Sequence, residues 1–347
     1  MRPVSATLLA TALLTVGCGP SAFAGAGAQR PASAPRLLAP APPVADGADV
    51  VRVLRSGEPT FTELRHLIDA ARRTVDVEVY EFGRADLASS LVAAKGRGVA
   101  VTMIADPSEL TTAATAQTLR ASGIDVVDYP IRARMIDHVK LLLVDGVVAA
   151  VGGINWGAAS AANHDFDVEV RGPVVANLGR VFLRDLVTCG RSAVVPEPLL
   201  DPAVVVGATL PGAEILPMVL GAIAGAHRTL DVAMFTLTDA QVVAAMEAAL
   251  ARGVAVRVLL DPAQRASDPS AASLRAHGVA VRLYRSGGEK LHAKATIVDA
   301  STVVMGSANW TVSGFEHNHE LDVAIPASPR LASSFEEQFE SDWVASG

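Results

Sequence analysis

The chain has 347 residues, half of them hydrophobic, 19% charged and 4% aromatic, with 2 cysteines and a formal charge of −7. This length suits about two domains with ordinary cores, and two cysteines cannot build a disulfide scaffold. A net acidic chain argues against a protein that coats nucleic acid, and no apolar run past the N-terminus approaches the ~20 residues of a membrane span.

Residues 1–24 read as a signal peptide: Arg2, an apolar stretch from Leu8 to Val16, then small residues. Two cleavage readings stay open. Leu13 to Cys18 resembles a bacterial lipobox, which would lipidate Cys18 and anchor the chain to a membrane, while Ala22-Phe23-Ala24 fits the A-x-A rule of ordinary secretion. Either implies export. Residues 25–48, rich in Pro, Ala and Gly, read as a tether that cannot bury enough apolar surface to fold.

Beyond it the chain repeats itself. Arg73-Thr74-Val75-Asp76-Val77 returns as Arg228-Thr229-Leu230-Asp231-Val232, and Gly98-Val99-Ala100-Val101 returns as Gly253-Val254-Ala255-Val256. Both fall at one offset, so residues 49–197 and 198–347 are two copies of one unit. In each copy the period alternates. Helical spacing over Phe61 to Arg72 and Pro217 to His227 precedes short β-rich runs over Val75 to Phe82 and Leu230 to Phe235. Leu87 to Arg97 and Ala240 to Arg252 are helical and close on glycines suited to C′ positions. Val99 to Ala105 and Val254 to Leu260 are nearly continuous apolar runs, as expected of strands covered on both faces. The pattern predicts α/β architecture, twice over.

The chemistry-bearing residues fall at matched places. His138-Val139-Lys140 is followed by Asp145, and His292-Ala293-Lys294 by Asp299. The spacing His-x-Lys-x4-Asp would arise by chance roughly 0.005 times in a chain of this composition, so two copies in register are a strong signal. A hairpin follows each lysine and returns at Gly152-Gly153-Ile154-Asn155 and Gly306-Ser307-Ala308-Asn309. Strand alternation puts each histidine on one face with its lysine, and the returning strand brings the amides, and Ser307, back towards it. An ammonium, an imidazole and neutral donors on one face suit an anionic phosphate. A further pair, Asn163-His164-Asp165 and Asn318-His319-Glu320, stands at equal places. A metal set drawn from His164, His317, His319 and Glu320 is disfavoured, because the paired motifs already account for the constellation. Trp156 and Trp310 read as packing residues, and Phe335 and Phe339 as the inward face of a C-terminal helix.

These residues resemble the phospholipase D superfamily, marked by two HKD motifs each followed by a Gly-Ser-x-Asn or Gly-Gly-x-Asn turn. The resemblance spans both copies. It implies two tandem α/β/α sandwich repeats related by a pseudo-twofold axis, with one shared active site at their interface and no metal or other cofactor. His138, Lys140, Asp145, His292, Lys294 and Asp299 would be catalytic, and Asn155, Ser307 and Asn309 would bind the phosphate. Asp165 and Glu320 would fix the catalytic imidazoles. The first copy departs from the commoner pattern at Gly153, where a serine is usual. Bacterial relatives imply His138 as nucleophile and His292 as acid. The expected substrate is a phospholipid, cleaved by water or transferred to an alcohol, since neither copy carries net positive charge and the chain reads as exported. A nuclease, a cardiolipin synthase-type transphosphatidylase and a noncatalytic phosphate-binding protein are the alternatives. With both motifs in one chain, a monomer is expected.

Overall fold

The computed structural model describes residues 49–54, 56–201, 203–285 and 288–347. The segments expected to be a signal peptide and a tether, with Cys18, lie outside the described residues. The first repeat runs β1 (Val50–Leu54), α1 (Glu58–Ala70), β2 (Thr74–Val79), α2 (Ala85–Gly96), β3 (Ala100–Ala105), α3 (Leu110–Ala121) and β4 (Asp125–Asp128). It continues with β5 (Lys140–Val144), β6 (Val148–Gly152), β7 (Asn163–His164), β8 (Asp167–Arg171) and α4 (Val174–Thr188). The second runs β9 (Val205–Ala208), α5 (Ile215–Ala224), β10 (Thr229–Met234), α6 (Ala240–Ala251), β11 (Ala255–Leu260), α7 (Asp268–Ala276) and β12 (Ala280–Leu283). It closes with β13 (Lys290–Leu291), β14 (Lys294–Val298), β15 (Thr302–Gly306), β16 (Leu321–Ile325) and α8 (Pro329–Ala345).

Each repeat forms a 7-stranded sheet, ordered β1-β8-β6-β5-β2-β3-β4 and, in matching order, β9-β16-β15-β14-β10-β11-β12. The β2-β3-β4 and β10-β11-β12 portions are parallel, and the HKD hairpins add antiparallel strands beside them. The continuous apolar runs are explained by burial on both faces: all five residues of β5, including Lys140, are buried, as are all five of β14. Gly98 and Gly253 follow α2 and α6 with φ of 91° each, a left-handed conformation that costs a glycine little and lets the chain turn sharply into the next strand.

Among the described residues, three apolar cores hold the fold together. One lies between α1, α2, α3 and the first sheet, a second between α5, α6, α7 and the second sheet. The third spans both repeats: α4 and α8 fill the space between the two sheets, with Phe166 stacked on Phe335 at 5.0 Å. Phe335 and Phe339 are fully buried, and each such side chain contributes roughly 1.5–3 kcal/mol. The repeats thus share their central layer. They are also stitched by a two-stranded parallel pair, β13 with β7, which matches Lys290 with Asn163 and Leu291 with His164. Among the described residues no helix is long and apolar enough to cross a membrane.

Candidate active site

The site is built by exchange between the repeats. The backbone N–H of His292 donates to the carbonyl of His164 at 2.8 Å, and that of His138 donates to the carbonyl of His319 at 2.7 Å. Each catalytic-motif histidine therefore begins its strand against the acidic segment of the other copy. The side chains follow. His138 Nδ1 meets Glu320 Oε2 at 2.8 Å, and His292 Nδ1 meets Asp165 Oδ1 at 2.9 Å. A carboxylate on Nδ1 holds the proton there and leaves Nε2 with its lone pair for chemistry.

Lys140 and Lys294 curl back so that each Nζ donates to the carbonyl of its own histidine, and Lys294 Nζ also lies 2.9 Å from the ring nitrogens of His292. Tyr80 and Phe235, at equal places in the repeats, line the two halves. Tyr80 sits 5.1 Å from the His138 ring and Phe235 4.9 Å from the His292 ring, with the lysine ammoniums at 5.5 and 5.4 Å from the same aromatic rings.

Electrostatics follow from burial. Dehydration and the two nearby ammoniums push His138 well below the usual imidazole range. His292 is lowered to about 3, by burial first, with Asp165 opposing and Lys294 adding. Burial lowers Lys140 to about 7 and Lys294 to about 8, against the pull of Asp165 and Glu320. It raises Glu320 to about 7, whereas His292 and the lysines outweigh burial at Asp165 and hold it below the ordinary range. A phosphate bound among these groups would restore positive charge to lysine and imidazole alike.

The glycine-rich turns are shaped by a second pair of carboxylates. Asp167 Oδ1 accepts the N–H of Ile154 at 3.1 Å, and Asp322 Oδ1 that of Ala308 at 3.0 Å. A Cβ on Gly152 would lie 2.0 Å from Asp167 Oδ1, and one on Gly306 2.2 Å from Asp322 Oδ1, so only glycine fits. Asn155 Nδ2 donates to Glu81 Oε2 at 3.0 Å, and the side-chain oxygens of Asn155 and Asn309 have no hydrogen-bond partner among the described residues. Trp156 packs on Phe82 at 5.2 Å, within the core.

The sequence expectation is corrected in two places. Asp145 and Asp299 stand at the far ends of β5 and β14, five residues and roughly 16 Å of strand beyond the lysines. There, at φ of 54° and 52°, their carboxylates bind the backbone N–H groups of residues 72–74 and of residues 227–229, so they pin strand starts and do not reach the site. Ser307 is fully buried and donates its one hydroxyl proton to Glu320 Oε2 at 2.6 Å, while accepting the N–H of Leu321. It supports the carboxylate that holds His138 and has no proton left for a phosphate. Gly153 has the matching place in the first repeat, where a Cβ would fall 2.6 Å from Asp165 Oδ1.

Sequence reasoning did not find the clasps behind the site. His164 Nε2 bonds Asp342 of α8 at 2.8 Å and stacks on Tyr284; His319 Nε2 bonds Asp185 of α4 at 2.9 Å and stacks on Tyr129. The equal placing of His164 and His319 was the available signal, but it carried no hint of the helices.

A pseudo-twofold pair of His-x-Lys strands, each imidazole held by the other repeat's carboxylate, is the arrangement of a two-HKD, phospholipase D-like protein. The family model described as "Cardiolipin synthase, PLD-like domain" matches residues 64–186 and again 219–343, and the chain belongs to this family within the phospholipase D superfamily. It is 27% identical to cardiolipin synthase A of Pseudomonas fluorescens, across 85% of this chain and 68% of that one. It is also 33% identical to the mitochondrial cardiolipin hydrolase of Xenopus laevis, across 42% of this chain and 70% of that one. In fold it is similar to the phosphatidylserine synthase of Haemophilus influenzae, with a TM-score of 0.65, 13% identity and coverage of 84% and 86% of the two chains.

Proposed function

We propose that the protein cleaves the phosphodiester of phospholipids through a phosphohistidine intermediate and passes the phosphatidyl group to water or to an alcohol. The observation that carries this reading is the crossed pair of His–carboxylate bonds, His138 with Glu320 and His292 with Asp165, by which each repeat orients the imidazole of the other. His138 Nε2 attacks phosphorus, the bond to the leaving alcohol breaks, and protonated His292 gives that alcohol its proton. Neutral His292 then takes a proton from the incoming water or alcohol, whose oxygen attacks phosphorus and releases His138. Lys140 and Lys294 offset the charge that builds on the nonbridging oxygens, and Asn155 and Asn309 orient them.

Similarity to cardiolipin synthases over most of the chain favours a phospholipid and an alcohol acceptor. The similarity to a cardiolipin hydrolase, over less of it, keeps water in view as the acceptor. The test offers purified protein phosphatidylglycerol, phosphatidylcholine, cardiolipin and single-stranded DNA. Phosphatidic acid reports hydrolysis, and cardiolipin made from phosphatidylglycerol reports transfer. Cleavage of DNA with no lipid turned over would overturn the reading. A phosphoenzyme trapped in His292→Ala and missing in His138→Ala fixes the order of the histidines; the reverse pattern exchanges them.

A further inference from the structure

The two clasps behind the site are not alike. At the His164–Asp342 clasp the neighbouring places on β10 and before His292 are Ala233 and Leu291, both apolar and buried. At the His319–Asp185 clasp the corresponding places hold Glu78 and Asp137, both fully buried. Neither oxygen of Glu78 has a hydrogen-bond partner among the described residues, nor has either of Asp137. A buried carboxylate such as Glu78 would cost several kcal/mol if left charged and alone. Arg184 offers little relief, its Nε standing 3.5 Å from Asp185 Oδ1 with one terminal nitrogen lacking a hydrogen-bond partner among the described residues.

The atoms that could hold a cation converge. One ligand atom each from Glu78, Asp185 and His319 lies within 4.8 Å of the others. His319 Nε2 is 2.9 Å from Asp185 Oδ2 and 3.7 Å from Glu78 Oε1. A tetrahedral ion with bonds of ~2.0–2.2 Å sets neighbouring ligand atoms ~3.3–3.6 Å apart, between these two spacings. We propose that Glu78, Asp185 and His319 bind one divalent transition-metal ion, of the zinc or manganese kind, as a structural site outside the reacting groups. One nitrogen and two carboxylates are a ligand set that both ions accept.

Glu78 comes from β2, Asp185 from α4 and His319 from the second repeat, so the ion ties three elements across the repeat boundary. His319 is also fixed by its backbone, which donates to Ile136 and accepts from His138. The next residue is Glu320. The proposed ion thus stands one residue along the chain from the carboxylate that accepts from His138.

The test uses the full chain, desalted and assayed by elemental mass spectrometry, then stripped by chelation and titrated with Zn²⁺ or Mn²⁺ while Tm is followed. About one equivalent of metal per chain is expected, with Tm of the stripped chain rising by several degrees on adding the ion. Glu78→Ala, which copies Ala233 of the second repeat, and the near-isosteric Glu78→Gln should both lose the metal, and Asp342→Asn in the other clasp should keep it. If Glu78→Ala does not fold, Glu78→Gln carries the comparison. A chain that purifies without metal and shows no Tm response to either ion overturns the proposal and leaves the carboxyls as proton holders. Metal retained by Glu78→Gln overturns it as well.

Discussion

Glu320, in the second repeat, accepts from Nδ1 of His138, in the first, at 2.8 Å, and is itself bonded by Ser307 and Asn318. Glu320→Gln should keep the fold and lower kcat about 10²–10⁴-fold with a smaller change in KM, because the imidazole loses its tautomer rather than its contact with substrate. Steady-state kinetics on the best phospholipid check this, and an unchanged kcat would show that His138 needs no orienting carboxylate.

His138→Ala and His292→Ala should each remove turnover, and the double variant should be barely worse than either single one, since groups acting on one phosphorus are non-additive. Two independent half-sites would instead leave each single variant at about half the wild-type rate.

Asp145→Ala and Asp299→Ala should lower Tm and leave kcat per folded molecule unchanged. Each removes a carboxylate that accepts three backbone N–H groups at an exposed turn, worth about 1–2 kcal/mol. Thermal melts alongside active-site-normalised rates separate the two effects. A loss of kcat without a loss of Tm would restore these residues to the chemistry.

Gly153→Ser makes the first turn match the second in sequence, yet it should reduce activity, about tenfold or more. Its Cβ would fall 2.6 Å from Asp165 Oδ1 and displace the carboxylate that holds His292. Activity equal to or above wild type would mean that Asp165 can retreat without releasing the imidazole.

Stability and activity should part company at alkaline pH. Lys140 and Lys294 have folded values of about 7 and 8, below the unfolded value of 10.5, so from about pH 7 to 10 the unfolded chain binds more protons than the native one. Their contribution to stability therefore rises with pH across that window, by at most ~1.4 kcal/mol per unit per lysine, and the burial cost is fully present below it. Denaturant midpoints at pH 7 and 9.5 should show the rise, and Lys140→Met should flatten it. Over the same window kcat/KM should fall, as the ammoniums that meet the phosphate are lost.

The internal repeat, the two His-x-Lys strands and the equal placing of Asp165 and Glu320 were all legible, because strand alternation and a fixed offset are properties of the local chain. What escaped were relations between distant segments. Nothing in the spacing says that His138 meets the acid of the other copy, or that Asp185 and Asp342 reach in from α4 and α8, whose helical spacing does not hold the register of the sheets. Asp145 and Asp299 depart from the sequence expectation for a related reason. A motif groups residues along the chain, and a straight five-residue strand carries its two ends apart. Ser307 was placed on the right turn, and only its partner revealed that its proton was already committed.

The reciprocal strand pairing at His164 and His319 makes each half the mould in which the other's motif histidine is set. A fragment holding one repeat alone would present an imidazole with no carboxylate behind it and an apolar flank where α4 or α8 should lie. Damage in either half is therefore felt first in its neighbour. A lesion at Asp165 disarms His292 and one at Glu320 disarms His138, so when the two halves are supplied as separate chains, a defective acid in either fragment should silence the shared site however sound its partner.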